Sequence, residues 1–415
     1  MLPLVDGMAE PSPADNPRVL VTGVGAVSAW GWGIEALVRG LSSGETAIRG
    51  FDRFDHSRQR THVAGVVPDS THQSITRWPR LSLADGFAVF AALEALGQAR
   101  LGPSLEGMPA GVYFASSTAG LYEAELYLAR LRNRERPRGD LIASQQLNGP
   151  GDAVARSLRA TGPVLTISAA CSSATLALDA ALRDLREGVV DLAVAGGADS
   201  LCQVTFSGFN ALRAVDERPC RPYRTDRAGM SLGEGAGVLV LETEAHARAR
   251  GARPLAELKG AGASCDASHM TAPHPEGLGA ALAMTRALRD AETDPDAVAF
   301  VNVHGTGTPL NDAAEFRGLR RTFGPRVSFV PLTATKGSVG HLLGSAGALE
   351  AVATVLCLES GWLDPAAGRG EVDPELPVNL VLGEPRKLAP GPALTLNLAF
   401  GGANAALVFD RRSAE

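Results

Sequence analysis

Cys171 sits in "TISAACSSATLALD" (166–179), where a β-like run gives way to the start of a helix. Its neighbours are no larger than alanine and serine, so a substrate carbonyl can reach the sulfur. Unpaired N–H groups and aligned peptide dipoles at a helix N-terminus favour a thiolate, which predicts a lowered pKa and a nucleophile. Ser172 or Ser173 is the expected N-cap, and Gly188 the stop. Position alone leaves another role open, that of a small buried apolar side chain.

A reactive thiol needs partners, and two of the eight histidines stand in unusual settings. His304 closes the run "AVAFVNV" and opens "HGTGTPLNDAAE", a Gly/Thr turn leading into a helix capped near Asn311 or Asp312. His341 lies between glycines in "TKGSVGHLLGSAG", five residues after Lys336. Lysine is scarce here: only Lys259, Lys336 and Lys387 occur, so one at fixed spacing from a histidine is unlike a solvated surface lysine.

Around these residues β-like and helix-like segments alternate for the whole length, predicting an α/β protein with helix layers on sheets. Helices are expected at 83–99, 173–187, 278–291, 313–322 and 345–359. "LAVAGGADS" followed by "GEGAGVLVLE" is echoed by "LNLAFGGANAALVFD" near the C-terminus, which suggests a duplicated unit. The expected division is a loose leader over 1–17, an N-terminal half over 18–250 carrying the thiol, and a C-terminal half over 251–415 carrying the histidines and lysine. The seam falls in the polar stretch 244–253.

The 415 residues exceed what one core usually fills, which suits two fused halves. A net charge of -6 argues against a nucleic-acid surface. The five cysteines, odd in number and without CxxC spacing, disfavour a disulfide framework or a metal site and suit a reducing cytoplasm. The acidic, Pro-rich leader has no basic stretch and does not read as a signal peptide. The apolar run 342–358 carries Glu350 at its middle, which points to a buried helix rather than a membrane span.

Taken together, "VTGVGAVSAWG", "AACSSA", "RPYRTDRAGMSLGEGAGVLVLE", "DASHMTAPHPEG", "HGTGTPLNDAAE", "TKGSVGHLLGSAG" and "NLAFGGANAALVF" resemble, in order, the landmarks of the β-ketoacyl-acyl-carrier-protein synthases of the elongating Cys-His-His type. The resemblance covers residues 18–410. It implies a thiolase-like five-layer αβαβα sandwich from two similar halves, normally dimeric. It also implies decarboxylative condensation of an acyl group held on Cys171 with a malonyl group on acyl carrier protein.

By that resemblance His304 and His341 hold the enolate oxygen, and Lys336, ion-paired with Glu315, tunes the field around His304. Backbone N–H groups of Cys171 and Phe400 form an oxyanion hole, with Phe400 also a gate. Thr306, Thr308 and Thr271 bind the pantetheine arm, while Thr118 and Met230 line the acyl pocket. Asp312 and Glu315 are structural supports. No metal is implied, and the only cofactor is the phosphopantetheine brought by the carrier. The partners implied are acyl carrier protein and a second subunit, in a homodimer or a heterodimer with a chain-length-factor-like chain, with no nucleic acid and no membrane.

Carrier docking calls for a basic patch, for which Arg53, Arg58, Arg60 and Arg213 are candidates. The sequence departs from the family pattern with "AAC", "AFGGAN", Arg224, Ala228 and Met230. None of these removes a catalytic group, and together they point to specialised fatty-acid-like or polyketide biosynthesis. Three other functions compete with this one. "VTGVGAVS" suggests a dinucleotide site, but it lacks the third glycine of that fingerprint. A chain-length-determining partner that has lost its thiol is disfavoured, because Cys171 is present. A cysteine thioesterase or acyltransferase would use the same thiol and histidine.

Overall fold

The computed structural model describes residues 17–68 and 81–411. The expected leader therefore lies, but for Pro17, outside the described residues. Ten strands carry the architecture. The first five are β1 (Val19–Ser28), β2 (Ala110–Ala115), β3 (Val164–Ile167), β4 (Leu192–Asp199) and β5 (Gly235–Thr243). The second five are β6 (Ala256–Cys265), β7 (Phe300–Asn302), β8 (Pro331–Thr333), β9 (Ala393–Leu398) and β10 (Ala403–Arg411).

The two sets pair in the same way. In the first the order is β3-β2-β4-β5-β1, with β3, β2 and β4 parallel and β5 and β1 antiparallel to their neighbours. In the second it is β8-β7-β9-β10-β6 with the same senses. The sheets join where β1 meets β6, at Leu20 opposite Glu257 and Val21 opposite Ala256. The segment 244–253 falls between β5 and β6.

Six helices complete the layers: α1 (Leu83–Gln98), α2 (Gly149–Leu158), α3 (Ser173–Arg186), α4 (Leu278–Asp290), α5 (Pro309–Phe323) and α6 (Ala346–Ser360). α1 packs on β1 and β5, and α4 on β6 and β10, as the outer layers. α3 and α6 pack on each other and on strands of both sheets, forming the middle layer. Strands that meet helices on both faces are buried on both and largely apolar, as in β1, where every residue is buried. The apolar run of α6 is likewise the buried centre of the molecule.

The glycines of "VTGVGAVS" belong to this packing. Gly23 and Gly25 lie within β1, where a Cβ would stand 2.0 Å from Ala95 O and 1.9 Å from Ala91 O. They let α1 press on the strand and do not form a phosphate-binding turn, so the dinucleotide alternative loses its basis.

Candidate active site

The site residues follow the C-terminal ends of the parallel strands β3, β7, β8 and β9, where open α/β sheets place their crevices. Cys171, His304, His341 and Phe400 line one cavity of about 280 Å³, together with Met230, Thr271, Thr306 and Thr308.

Cys171 is buried and follows Ala170, which is held at φ 48°. Ser172 is the N-cap of α3, but its side chain does not cap. The Ser172 and Ser173 hydroxyls instead donate back to Ala169 O (3.0 Å) and Ala170 O (2.5 Å), tightening the turn that presents the thiol. The expected lowered pKa is not found. Burial pushes the Cys171 thiol up to about 11, against the opposing charge of Lys336 and the backbone N–H of Phe400. The position at a helix start is as expected, but desolvation outweighs it.

The two imidazoles are fixed as the same tautomer by different neighbours. His304 Nδ1 accepts from Lys336 Nζ at 3.1 Å, and His341 Nδ1 accepts from the Leu343 N–H at 3.1 Å. Each proton therefore sits on Nε2. The Nε2 of His341 is buried without a hydrogen-bond partner among the described residues. Ring centroids are 5.4 Å apart with planes at 84°. Burial, then the charge of Lys336, drives both pKa values well below the usual histidine range, so both rings are neutral at pH 7.

Lys336 stands behind His304, and its ion pair differs from the expected one. The partner is Glu350 in α6, at 2.5 Å, not Glu315. Glu315 is turned to the backbone and accepts the N–H groups of His304 (2.6 Å) and Gly305 (2.9 Å). Burial raises its carboxyl to about 7. Asp312 accepts the N–H groups of Tyr223 (2.8 Å) and Gly307 (3.2 Å), so both acids hold the 304–308 loop. Glu350 is the site residue that sequence reasoning passes over. Its signal is present, since an acid inside an otherwise apolar helix requires a partner.

The hydroxyls of Thr306 and Thr308 lie 2.9 Å apart on the cavity wall, and Thr308, not Asn311 or Asp312, caps α5. Thr271 and Met230 also face the cavity. Thr118 does not line it: its hydroxyl is engaged by Asp199 (3.0 Å) and Ser200 O (3.0 Å), and its N–H also binds Asp199. Arg53 is no surface cation either. It is buried in a bidentate pair with Glu234, which removes it from any docking patch. Arg58, Arg60 and Arg213 do share an open groove, and Arg213 also lines the cavity. Arg60 is ion-paired to Glu217 at 3.0 Å.

Comparison with known proteins finds relatives over nearly the whole chain. The family model "Beta-ketoacyl synthase, N-terminal domain" matches residues 16–247, and "Beta-ketoacyl synthase, C-terminal domain" matches 255–368. The 3-oxoacyl-[acyl-carrier-protein] synthase 2 of Synechocystis sp. is 33% identical over 410 residues, covering 96% of this chain and 99% of that protein. The enzyme of the same name from Staphylococcus aureus is 32% identical over 413 residues, covering 96% and 99%. Among solved structures, the ishigamide ketosynthase/chain length factor superposes with a TM-score of 0.90 at 31% identity, covering 96% of this chain and all of that one. A type II PKS acyl-carrier protein in complex with its ketosynthase gives 0.87 at 28% identity, with coverage of 96% and 100%.

Proposed function

The chain belongs to the β-ketoacyl synthase family, and from that membership we propose that it condenses an acyl group held on Cys171 with malonyl-acyl carrier protein, giving β-ketoacyl-acyl carrier protein and CO₂. In the first half-reaction the sulfur of Cys171 attacks the acyl thioester carbonyl, whose developing oxyanion meets the N–H groups of Cys171 and Phe400. The carrier sulfur leaves and takes up the proton lost from Cys171. In the second the bond from the malonyl carboxylate to its α-carbon breaks and CO₂ departs. The electron pair passes into an enolate whose oxygen accepts both Nε2–H groups. The enolate carbon then attacks the acyl carbonyl on Cys171, and the C–S bond breaks.

The observation that carries this is the pair of neutral imidazoles. With each Nδ1 engaged as an acceptor, His304 and His341 can offer one N–H apiece to an oxyanion. Neither presents the acidic proton of an imidazolium that would quench the carbanion. Lys336 serves as the donor fixing His304. Thr306, Thr308 and Thr271 hold the pantetheine arm of the carrier, and no resident cofactor is needed.

The acidic carrier docks on the groove of Arg58, Arg60 and Arg213, beside the cavity mouth. The reaction is cytoplasmic. β3 supports an assembly of two subunits: it is the edge strand of its sheet, and Val164 and Leu165 on it are exposed. The second subunit is a copy of this chain or a chain-length-factor-like relative, as in the ishigamide assembly. The departures around Arg224, Ala228 and Met230 favour a specialised pathway over general fatty-acid elongation.

The test is incubation with an acyl carrier thioester, followed by malonyl carrier. A stable acyl adduct on Cys171 that becomes β-ketoacyl carrier with release of CO₂ is expected. Rapid release of free acid without condensation would instead make the protein a thioesterase.

A further inference from the structure

Behind the cavity, Asn397 of β9 ties the thiol's helix to the histidine's lysine, and its two amide ends are committed differently. Oδ1 accepts the hydroxyl of Thr175 at 2.6 Å, and Thr175 lies in the first turn of α3, just past Cys171. Nδ2 donates to Glu350 Oε2 at 2.7 Å and lies 3.4 Å from His304 Nδ1. The other Glu350 oxygen holds Lys336, itself the donor to His304 Nδ1. The contact is built into the packing, because a Cβ at Gly347 would stand 2.1 Å from Thr175 Oγ1 and 2.7 Å from Asn397 Oδ1. Asn397 is buried, with none of its surface exposed.

Resting on the condensation described above, we infer that Asn397 is a positioning residue for the enolate step: its amide, locked by Thr175, turns only N–H toward Glu350 and His304 and so keeps the His304 proton on Nε2. The sign follows from donor and acceptor identities. With two N–H groups aimed at it, Nδ1 can act only as an acceptor. An oxygen in the same place would accept an Nδ1–H, and the ring would either lose its Nε2 proton or become charged. The other ionisable groups around His304 are Lys336 and Glu350 behind it, His341 and Cys171 across the cavity, and Glu315 with Asp312 under its backbone. Of these, Lys336 is the one group besides Asn397 that reaches Nδ1.

Asn397→Asp tests this in the intact protein, with shape kept and one donor replaced by a carboxylate. Two reactions are compared: decarboxylation of malonyl carrier and acylation of Cys171 by an acyl carrier. Losing one oxyanion donor typically costs ~10²–10³-fold. Decarboxylation is therefore expected to fall at least ~10-fold further than acylation. Its pH profile is expected to gain an acid limb displaced upward, because a neighbouring carboxylate raises an imidazole pKa. Equal losses in both reactions with an unmoved profile would make Asn397 a packing residue and overturn the inference.

Thr175→Val removes the lock on the amide and is expected to give the same selective loss in milder form. It decides the matter if Asn397→Asp does not fold, and parallel losses there refute the role. A wild-type protein that neither decarboxylates malonyl carrier nor condenses would sink the proposed function itself. Failure confined to the variants sinks only the role of Asn397.

Discussion

Gly347 and Gly97 are both helical glycines, and the same substitution should act on them with opposite sign. Gly347 lies where α6 crosses α3, and its absent Cβ leaves room for the Thr175–Asn397 hydrogen bond. Gly347→Ala would put a methyl 2.1 Å from the Thr175 hydroxyl, far inside contact distance. Overpacking of this kind costs ~1–3 kcal/mol. Parting the two buried polar groups adds ~1–3 kcal/mol. The better helix propensity of alanine returns ~1 kcal/mol. The net expectation is a loss of ~1–5 kcal/mol, together with slower acylation of Cys171, whose helix must shift.

Gly97, near the end of α1, has no atom from outside its own stretch of helix within 4 Å of an added Cβ among the described residues. Gly97→Ala is expected to stabilise by up to ~1 kcal/mol. Urea unfolding of both variants beside the wild type reads the two signs. A Gly347→Ala protein as stable as the wild type and fully active would refute the view that this crossing is built around the Asn397 contact.

Other expectations concern charge and burial. With the thiol pushed up to about 11, alkylation of Cys171 by iodoacetamide should rise about tenfold per pH unit from pH 7 to beyond 9, because only the thiolate reacts. A plateau below pH 8 would contradict this. Arg58→Glu with Arg213→Glu should raise the KM for carrier-bound substrates severalfold at low salt and flatten its salt dependence, with little change in kcat. An unchanged KM would remove the groove as the docking face. Thr306→Val with Thr308→Val should raise the KM for malonyl carrier and, by removing the cap of α5, lower stability by ~0.5–2 kcal/mol. Unaltered kinetics would leave those hydroxyls with the loop alone.

The sequence announces residues whose local context is unusual and hides those whose role depends on a distant part of the chain. Cys171 precedes a helix, and His304 and His341 sit among glycines, so the linear order of residues is enough to single them out. The period of the apolar residues places α1, α3, α4 and α6 to within about two residues. α5 starts earlier than expected, at Pro309, because proline suits a first helical turn and Thr308 supplies the cap. α2 begins in Gly149-Pro150-Gly151, a string of turn residues that conceals it.

Pairing is less legible. Lys336 lies 14 residues before Glu350 and 21 after Glu315, and only the meeting of β8, α5 and α6 decides between them. The thiol's pKa is hidden for a related reason. A helix start can be read from the chain, whereas the burial that desolvates the sulfur cannot. Arg53 has the sequence context of a surface cation, yet Glu234, 181 residues away, pairs with it and buries it.

Two uncharged imidazoles sharing one oxyanion are the centre of the proposed chemistry, and decarboxylation isolates that event from acyl transfer. In a Cys171→Gln background the enolate site is intact, so malonyl carrier should still release CO₂. Adding His304→Ala should lower that release by ~10²-fold or more. Release at an undiminished rate from the Cys171→Gln/His304→Ala protein would contradict the assignment of His304 and, with it, the mechanism.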